Sequence, residues 1–268
     1  MRANKYLKGV VEKIANNDTF SKKEKMGYKK VKNSVKEWNE SISPGFHLFG
    51  GVKAKVQKSG SRAKGTSIKG TSDIDLFVSI TDSKNEYTTR ELSESLHTHL
   101  SSDFRETRKQ NVSTRIITDG CKFDVTSAKQ SNSKSHERKD DHYIYSRGQD
   151  ARMLTNIQSG IEIINSSKYK KEIMLIKRWR DINGLKISST YIELFVYDAL
   201  ENNHSRNLSE NIITVLKELE DTVVTKKIVD PGNPKNIISE TMTKQEKRVV
   251  KKVATESLEK EDFDEIFR

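Results

Sequence analysis

Residues 59–78 read Ser59-Gly60-Ser61-Arg62-Ala63-Lys64-Gly65-Thr66-Ser67-Ile68-Lys69-Gly70-Thr71-Ser72-Asp73-Ile74-Asp75-Leu76-Phe77-Val78. With Ser79-Ile80, residues 74–80 make an apolar run that reads as a strand largely buried on both faces. Asp73 and Asp75 open it two residues apart, so their side chains share one face. Two carboxylates side by side repel unless a divalent cation sits between them. Upstream, Gly60-Ser61 ends a preceding strand. A glycine there lets backbone N–H groups and a hydroxyl approach phosphate oxygens closely. Arg62 and Lys64, just beyond, are placed to neutralise those oxygens.

A third carboxylate lies further along. Asn111–Thr118 and Cys121–Thr126 are two alternating runs joined by Asp119-Gly120, a strong hairpin signal. The second run contains Asp124, and the hairpin places that strand beside 74–80 to complete a three-carboxylate metal site. Hard oxygen ligands favour Mg²⁺ or Mn²⁺, with substrate phosphates filling the remaining positions. A phosphate cradle followed by paired carboxylates twelve residues after Ser61 is equipment for two-metal phosphoryl transfer.

Residues 4–15 and 21–41 have helical spacing; Met26, Tyr28, Val31, Val35 and Trp38 recur every three or four positions with lysines between. Pro44-Gly45 ends this leader, and HLFG at 47–50 and VKAKV at 52–56 look strand-like. Residues 88–104 read as a helix. Residues 128–142 are polar and without period, a hinge between two lobes. Beyond it the spacing predicts helices over 150–166, 169–182, 189–201, 208–220 and 243–262, with Val229–Pro234 as a break before the last. A mixed α/β lobe followed by an all-helical lobe is the simplest partition, divided as 1–135 and 136–268.

The chain has 268 residues and a net charge of +11, distributed unevenly: +9 over residues 1–58, +1 over 59–130, +5 over 131–186 and −4 over 187–268. A Lys-rich surface serves solubility, or recruits a polyanion such as nucleotide or nucleic acid. Cys121 stands alone, which excludes an internal disulfide framework and a cysteine-rich zinc site. No stretch approaches the ~20 apolar residues of a membrane span, and the first 30 residues lack a signal-peptide run. The expectation is a soluble cytoplasmic protein with no membrane partner.

Gly60-Ser61, Asp73-x-Asp75 and the later Asp124 together resemble the DNA-polymerase-β-like nucleotidyltransferase superfamily. Leu175-Ile176-Lys177-Arg178-Trp179-Arg180-Asp181-Ile182-Asn183-Gly184-Leu185 and Ser188-Ser189-Thr190-Tyr191-Ile192-Glu193-Leu194-Phe195 look like the helical lobe shared by archaeal-type CCA-adding enzymes, oligoadenylate synthetases and bacterial CD-NTases. Asp230-Pro231-Gly232-Asn233-Pro234 is similar to the Asp-Pro-x-x-Pro segment near the end of the last two groups. The resemblance spans about 45–240 and implies an α+β fold. In it a polymerase-β-like lobe, a mixed sheet with flanking helices, faces an all-helical lobe across a cleft.

The resemblance also implies roles. Asp73 and Asp75 would hold both metal ions, two Mg²⁺ or alternatively Mn²⁺. Asp124 would bind the catalytic ion and help deprotonate the attacking hydroxyl. Gly60 and Ser61 would hold the triphosphate, Lys64 stands where the CCA-adding pattern has an arginine, and Lys177 matches a lysine that reaches the phosphates. His142 stands near a histidine of the nucleotide pocket, although Glu137-Arg138-Lys139 replaces the Asp-Arg-Thr before it. Ser188, Thr190 and Tyr191 lie in the segment flanking sugar and base. Tyr191 and Trp179 read either as core or as base-stacking residues. His97, His99, His47 and His204 are set aside as structural or surface groups, Cys121 as a packing residue and Trp38 as core. The lysines at 22, 23, 25, 29, 30, 32 and 36 are a solvated face by default.

The function expected is a template-independent nucleotidyltransferase, releasing pyrophosphate from nucleoside triphosphates (ATP or dATP) and making a cyclic or linear oligonucleotide signal of antiphage defence, read by a separate effector protein. Nucleic acid, as primer or activator, is a further expected partner on the basic surface. The alternatives are nucleotide addition to the 3′ end of tRNA or another nucleic acid, a catalytically dead nucleic-acid-binding module, and a protein-modifying AMP transferase. A C-terminus soon after residue 262 leaves no room for tRNA-gripping domains.

Overall fold

The structure, a computed structural model, describes residues 2–16, 19–42, 51–70, 73–131, 140–203 and 205–268. The readings that fall on Pro44-Gly45, His47 and HLFG, His204, Glu137–Lys139 and most of the 128–142 segment lie outside these residues. The chain divides into two compact units that interleave along the sequence, residues 17–63 with 73–159, and residues 1–16 with 64–72 and 160–268. The expected single boundary at 135/136 is replaced by this division.

The first unit is built, among the described residues, on a seven-stranded mixed sheet covered by two long helices. Strand β1 (Val52–Lys58) pairs antiparallel with β2 (Ile74–Asp82), and β2 runs parallel to β5 (Cys121–Gln130). Beyond β5 come β4 (Thr114–Thr118) and β3 (Glu106–Lys109), both antiparallel. The far end of β5 pairs with β6 (His142–Ser146), which pairs with β7 (Ala151–Thr155). Period-2 alternation sorts the residues of β2: Leu76, Val78 and Ile80 meet the helices, and Asp75, Phe77 and Ser79 lie on the opposite face. The helices are α2 (Lys22–Ile42) and α4 (Thr89–Asp103), which contribute Val31, Val35, Trp38, Leu92, Leu96 and Leu100 to the core. Thr88 and Glu91 start α4 with reciprocal side chain–backbone bonds, and the lysines of α2 are exposed as expected.

Two sequence expectations change here. Residues 128–131 and 140–142 are not a hinge: Ala128, Lys129 and Gln130 ladder with Ile144, Tyr143 and His142 of the same sheet. Residues 150–166 are not one helix either. Ala151–Thr155 close a hairpin on β6, and the Asn156 side chain then accepts the Ser159 N–H at the start of α5 (Ile157–Ser166). A strand made by pairing with a partner a few residues upstream overrides the local 3.6-residue spacing.

The second unit is helical. Helices α1 (Arg2–Ile14), α6 (Lys170–Ile182), α7 (Ser189–Leu200), α8 (Leu208–Thr222) and α9 (Lys244–Leu258) surround a core that includes Leu7, Val11, Trp179, Tyr191, Phe195 and Leu216. A short hairpin, β8 (Val229–Asp230) and β9 (Asn233–Ile237), precedes α9, and α10 (Phe263–Phe267) follows it. The leader is therefore split: α1 belongs with this core and α2 with the sheet. Residues 64–70 join the helical unit through Asn16, whose N–H and side-chain amide both bond Ser67, at 3.1 and 2.8 Å. No helix among the described residues is long and apolar enough to cross a membrane.

Candidate active site

The Asp119-Gly120 turn has positive φ at both residues, 53° and 72°, the signature of a type I′ hairpin loop. With Thr118 opposite Cys121, the register runs back to place Arg115 opposite Asp124. On its other side β5 lies parallel to β2, and Asp75 and Asp124 are register partners. Asp73 sits one residue before β2. The three carboxylates expected to share a site thus stand at one end of two adjacent strands.

Arg115 joins them. Its Nε donates to Asp124 Oδ1 at 2.9 Å and its Nη2 to Asp124 Oδ2 at 2.8 Å, while the same Nη2 also pairs with Asp73 Oδ2. Gln110 Nε2 adds a longer bond to Asp124 Oδ1, 3.3 Å. The Asp124 hydrogen bonds raise the guanidinium's pKa further above its ordinary value, against a smaller opposing effect of burial, so Arg115 is always charged. Asp73 and Asp124 therefore already converge on one cationic nitrogen. The Asp73 and Asp124 oxygens that meet on this cation are hard donors of the kind Mg²⁺ and Mn²⁺ take.

Gly60 borders this group. Its φ is +56°, and a Cβ at that position would overlap the Asp75 carboxylate. Ser59 N–H bonds the Asp75 carbonyl at 2.9 Å, which ties the Gly60-Ser61 turn to the carboxylate strand. Gly60 opens a short helix, α3 (Gly60–Lys64), and Ser61 is part-exposed at its start. Arg62, expected near phosphates, is instead buried and paired with Glu24 of α2.

Lys64 and Lys177 occupy the helical unit. The Lys64 ammonium bonds Glu193 Oε2 at 2.7 Å; Lys177 Nζ bonds Glu193 Oε1 at 2.6 Å and the Thr66 hydroxyl at 3.0 Å. Thr66 also donates to Glu193 Oε1, 2.8 Å. Burial alone would push the Glu193 carboxyl up, but the two ammoniums outweigh it and hold the group at about 2. Glu193 was not singled out in the sequence; its one signal is a charge inside the apolar helix Tyr-Ile-Glu-Leu-Phe.

Four other expected site residues have local duties. His142 is buried: Nδ1–H donates to the Asp140 carbonyl at 2.8 Å, which leaves Nε2 to accept the Ser79 hydroxyl at 2.7 Å. Burial lowers its pKa despite the opposing pull of Asp140. Both ring nitrogens are thus engaged by neighbouring residues of the chain. Ser188 caps α7 by accepting the Tyr191 N–H at 3.1 Å, Thr190 is exposed on the first turn, and Tyr191 is fully buried, stacked on Phe195 at 5.6 Å. Tyr191 is thus core. So are Trp38 and Trp179, whose indoles donate to Ser95 and Ser257. His97 bonds Thr114; His99 lies near Glu37 and Asp103 in a cluster of potential ligands, where Asp103 is already held by Ser34 at 2.5 Å.

The model of the nucleotidyltransferase domain family matches residues 29–118. No curated protein sequence matches the chain. Among solved structures, CdnC of E. coli MS115-1, in complex with HORMA-deltaN, superposes with a TM-score of 0.74 at 20% identity, covering 95% of this chain and 89% of its own. CdnG of Bradyrhizobium diazoefficiens, a CD-NTase in complex with GTP, gives 0.70 at 14% identity over 94% and 89%. DncV of Vibrio cholerae, a cyclic AMP-GMP synthase, gives 0.62 at 14% identity over 99% and 82%. Residues 29–118 thus match the nucleotidyltransferase domain family, and the chain as a whole has the fold of these CD-NTase structures.

Proposed function

We propose that this protein is a template-independent nucleotidyltransferase that joins nucleoside monophosphates from nucleoside triphosphates into a short cyclic or linear oligonucleotide signal. The observation that carries the reading is the pairing of Asp75 with Asp124 across parallel strands, with Asp73 converging on Asp124 and Gly60 backed against Asp75. An attacking hydroxyl oxygen bonds the α-phosphorus, the bond to the bridging oxygen breaks, and pyrophosphate leaves. Asp124 accepts the hydroxyl proton. Gly60 and Ser61 hold triphosphate oxygens through backbone N–H groups and the Ser61 hydroxyl. Asp73, Asp75 and Asp124 would hold two Mg²⁺ ions, which would lower the pKa of the hydroxyl and neutralise the departing charge.

ATP or dATP is the proposed substrate. The neighbours supply the precedent for nucleotides: CdnC is known with ATP and CdnG with GTP. Defence signalling from the cytoplasm to a separate effector is part of the proposal and rests on the resemblance of the motifs to CD-NTases. A second reading, addition of nucleotides to a nucleic-acid 3′ end, is favoured by the exposed lysines of α2. Incubation with each NTP and dNTP plus Mg²⁺ or Mn²⁺, with and without tRNA, separates the two. Small phosphatase-resistant products without RNA mark a cyclic signal, a ladder of short species marks a linear one, and label confined to tRNA overturns the first reading.

A further inference from the structure

The carboxylate group has a resident cation, the Arg115 guanidinium. Arg115 Nη2 bonds Asp124 Oδ2 at 2.8 Å and also bonds Asp73 Oδ2, so one nitrogen lies between two of the three carboxylates. Its Nε takes the other oxygen of Asp124, so both oxygens of that carboxylate are engaged in a fork. The arrangement is set by the sheet: Arg115 lies directly across the β4–β5 ladder from Asp124. Arg115 is part-exposed, with about a quarter of its side chain open to solvent, so the fork can swing out without unpacking the core.

We propose that Arg115 is a positioning residue that competes with the divalent cation, occupying the carboxylates in the metal-free protein and yielding the Asp73 side when the ion enters. The inference rests on the metal-dependent reading of the site given above. Its physical basis is charge. Three carboxylates gathered at two strand ends repel one another, and a guanidinium among them stabilises the protein without metal. The same positive charge, a few ångströms from a dication, opposes loading. Nucleotide brings further negative charge and tips the balance, so loading becomes coupled to substrate. A residue that merely oriented Asp124 for the ion would have the opposite effect on loading.

The test is calorimetric titration of Mn²⁺ into the full-length, nucleotide-free protein, with thermal unfolding of the same samples. Arg115→Gln is expected to bind Mn²⁺ about tenfold more tightly than wild type, an order of magnitude set by removing one charge beside the ion. Without metal it should unfold at lower temperature, and Mn²⁺ should raise its Tm by more than it raises that of wild type. Arg115→Lys keeps the charge without the fork and falls between the two; it decides the question if Arg115→Gln does not fold. Equal or weaker Mn²⁺ binding in both variants overturns the inference. Asp73→Asn and Asp124→Asn separate its failure from that of the site: if they abolish Mn²⁺ binding while Arg115→Gln binds no tighter, only the role of Arg115 falls. If Mn²⁺ binding is absent or ignores both Asp variants, the metal site and the inference fall together.

Discussion

Asp75 and Asp124 stand opposite each other on parallel neighbours β2 and β5, although 49 positions separate them in sequence. Everything proposed for the site follows from that pairing, because it turns an Asp-x-Asp at one strand end into three carboxylates. Asp73→Ala with Asp75→Ala, or Asp124→Asn alone, is expected to lower nucleotidyl transfer by on the order of a thousandfold or more, since ions at such a site supply several kcal/mol. The circular dichroism spectrum and the unfolding midpoint stay close to wild type. Retained activity in a well-folded double variant shows that the ligands were misassigned.

Gly60→Ala combines two penalties. Positive φ costs an alanine on the order of 1–3 kcal/mol, and its Cβ collides with the Asp75 carboxylate. The collision displaces a proposed ligand, so the activity loss should exceed what the loss of stability explains. Transfer rate measured on the fraction still folded is the check.

Glu193 sets a pH signature. Its folded-state pKa of about 2 lies below the ordinary value of 4.5, so its contribution to stability is present above about pH 4.5. That contribution fades as pH falls from there towards 2, and amounts to roughly 3 kcal/mol for a group buried this deeply. Glu193→Gln leaves two buried ammoniums without their carboxylate and is expected to cost about 3–5 kcal/mol at neutral pH. Denaturant unfolding from pH 2 to 7 should show the acid-side slope shallower in the variant.

Ser188 distinguishes a cap from a nucleotide contact. Ser188→Ala should destabilise the protein by about 1 kcal/mol through loss of the Tyr191 N–H partner. KM for the triphosphate is expected to be unchanged. A raised KM at unchanged stability returns Ser188 to the nucleotide pocket.

How much of this was legible in the sequence depended on how local the signal was. The apolar run 74–80, the Asp119-Gly120 turn and the shared face of Asp73 and Asp75 rest on period 2 and turn chemistry, and they led directly to the three-carboxylate group. Arg115 was equally legible, since a two-residue turn with Thr118 opposite Cys121 places 115 across from 124; its charge drew no attention in a strand read for its apolar residues. Other features depended on distant partners. The amphipathic spacing of α1 shows a buried face but not which core receives Leu7 and Val11. Residues 151–155 became a strand only because β6 offered an edge. Tyr191 and His142 carry side chains common in nucleotide sites, and their burial was decided by packing that no motif records.

The most direct measurement is the product analysis of the purified protein incubated with ATP and the other nucleoside triphosphates in Mg²⁺, beside the Asp73→Ala, Asp75→Ala double variant. The account predicts pyrophosphate and a short oligonucleotide from wild type without added nucleic acid, and neither from the variant. Pyrophosphate release that survives in the variant, or no product from wild type with any triphosphate, metal or nucleic acid, contradicts it.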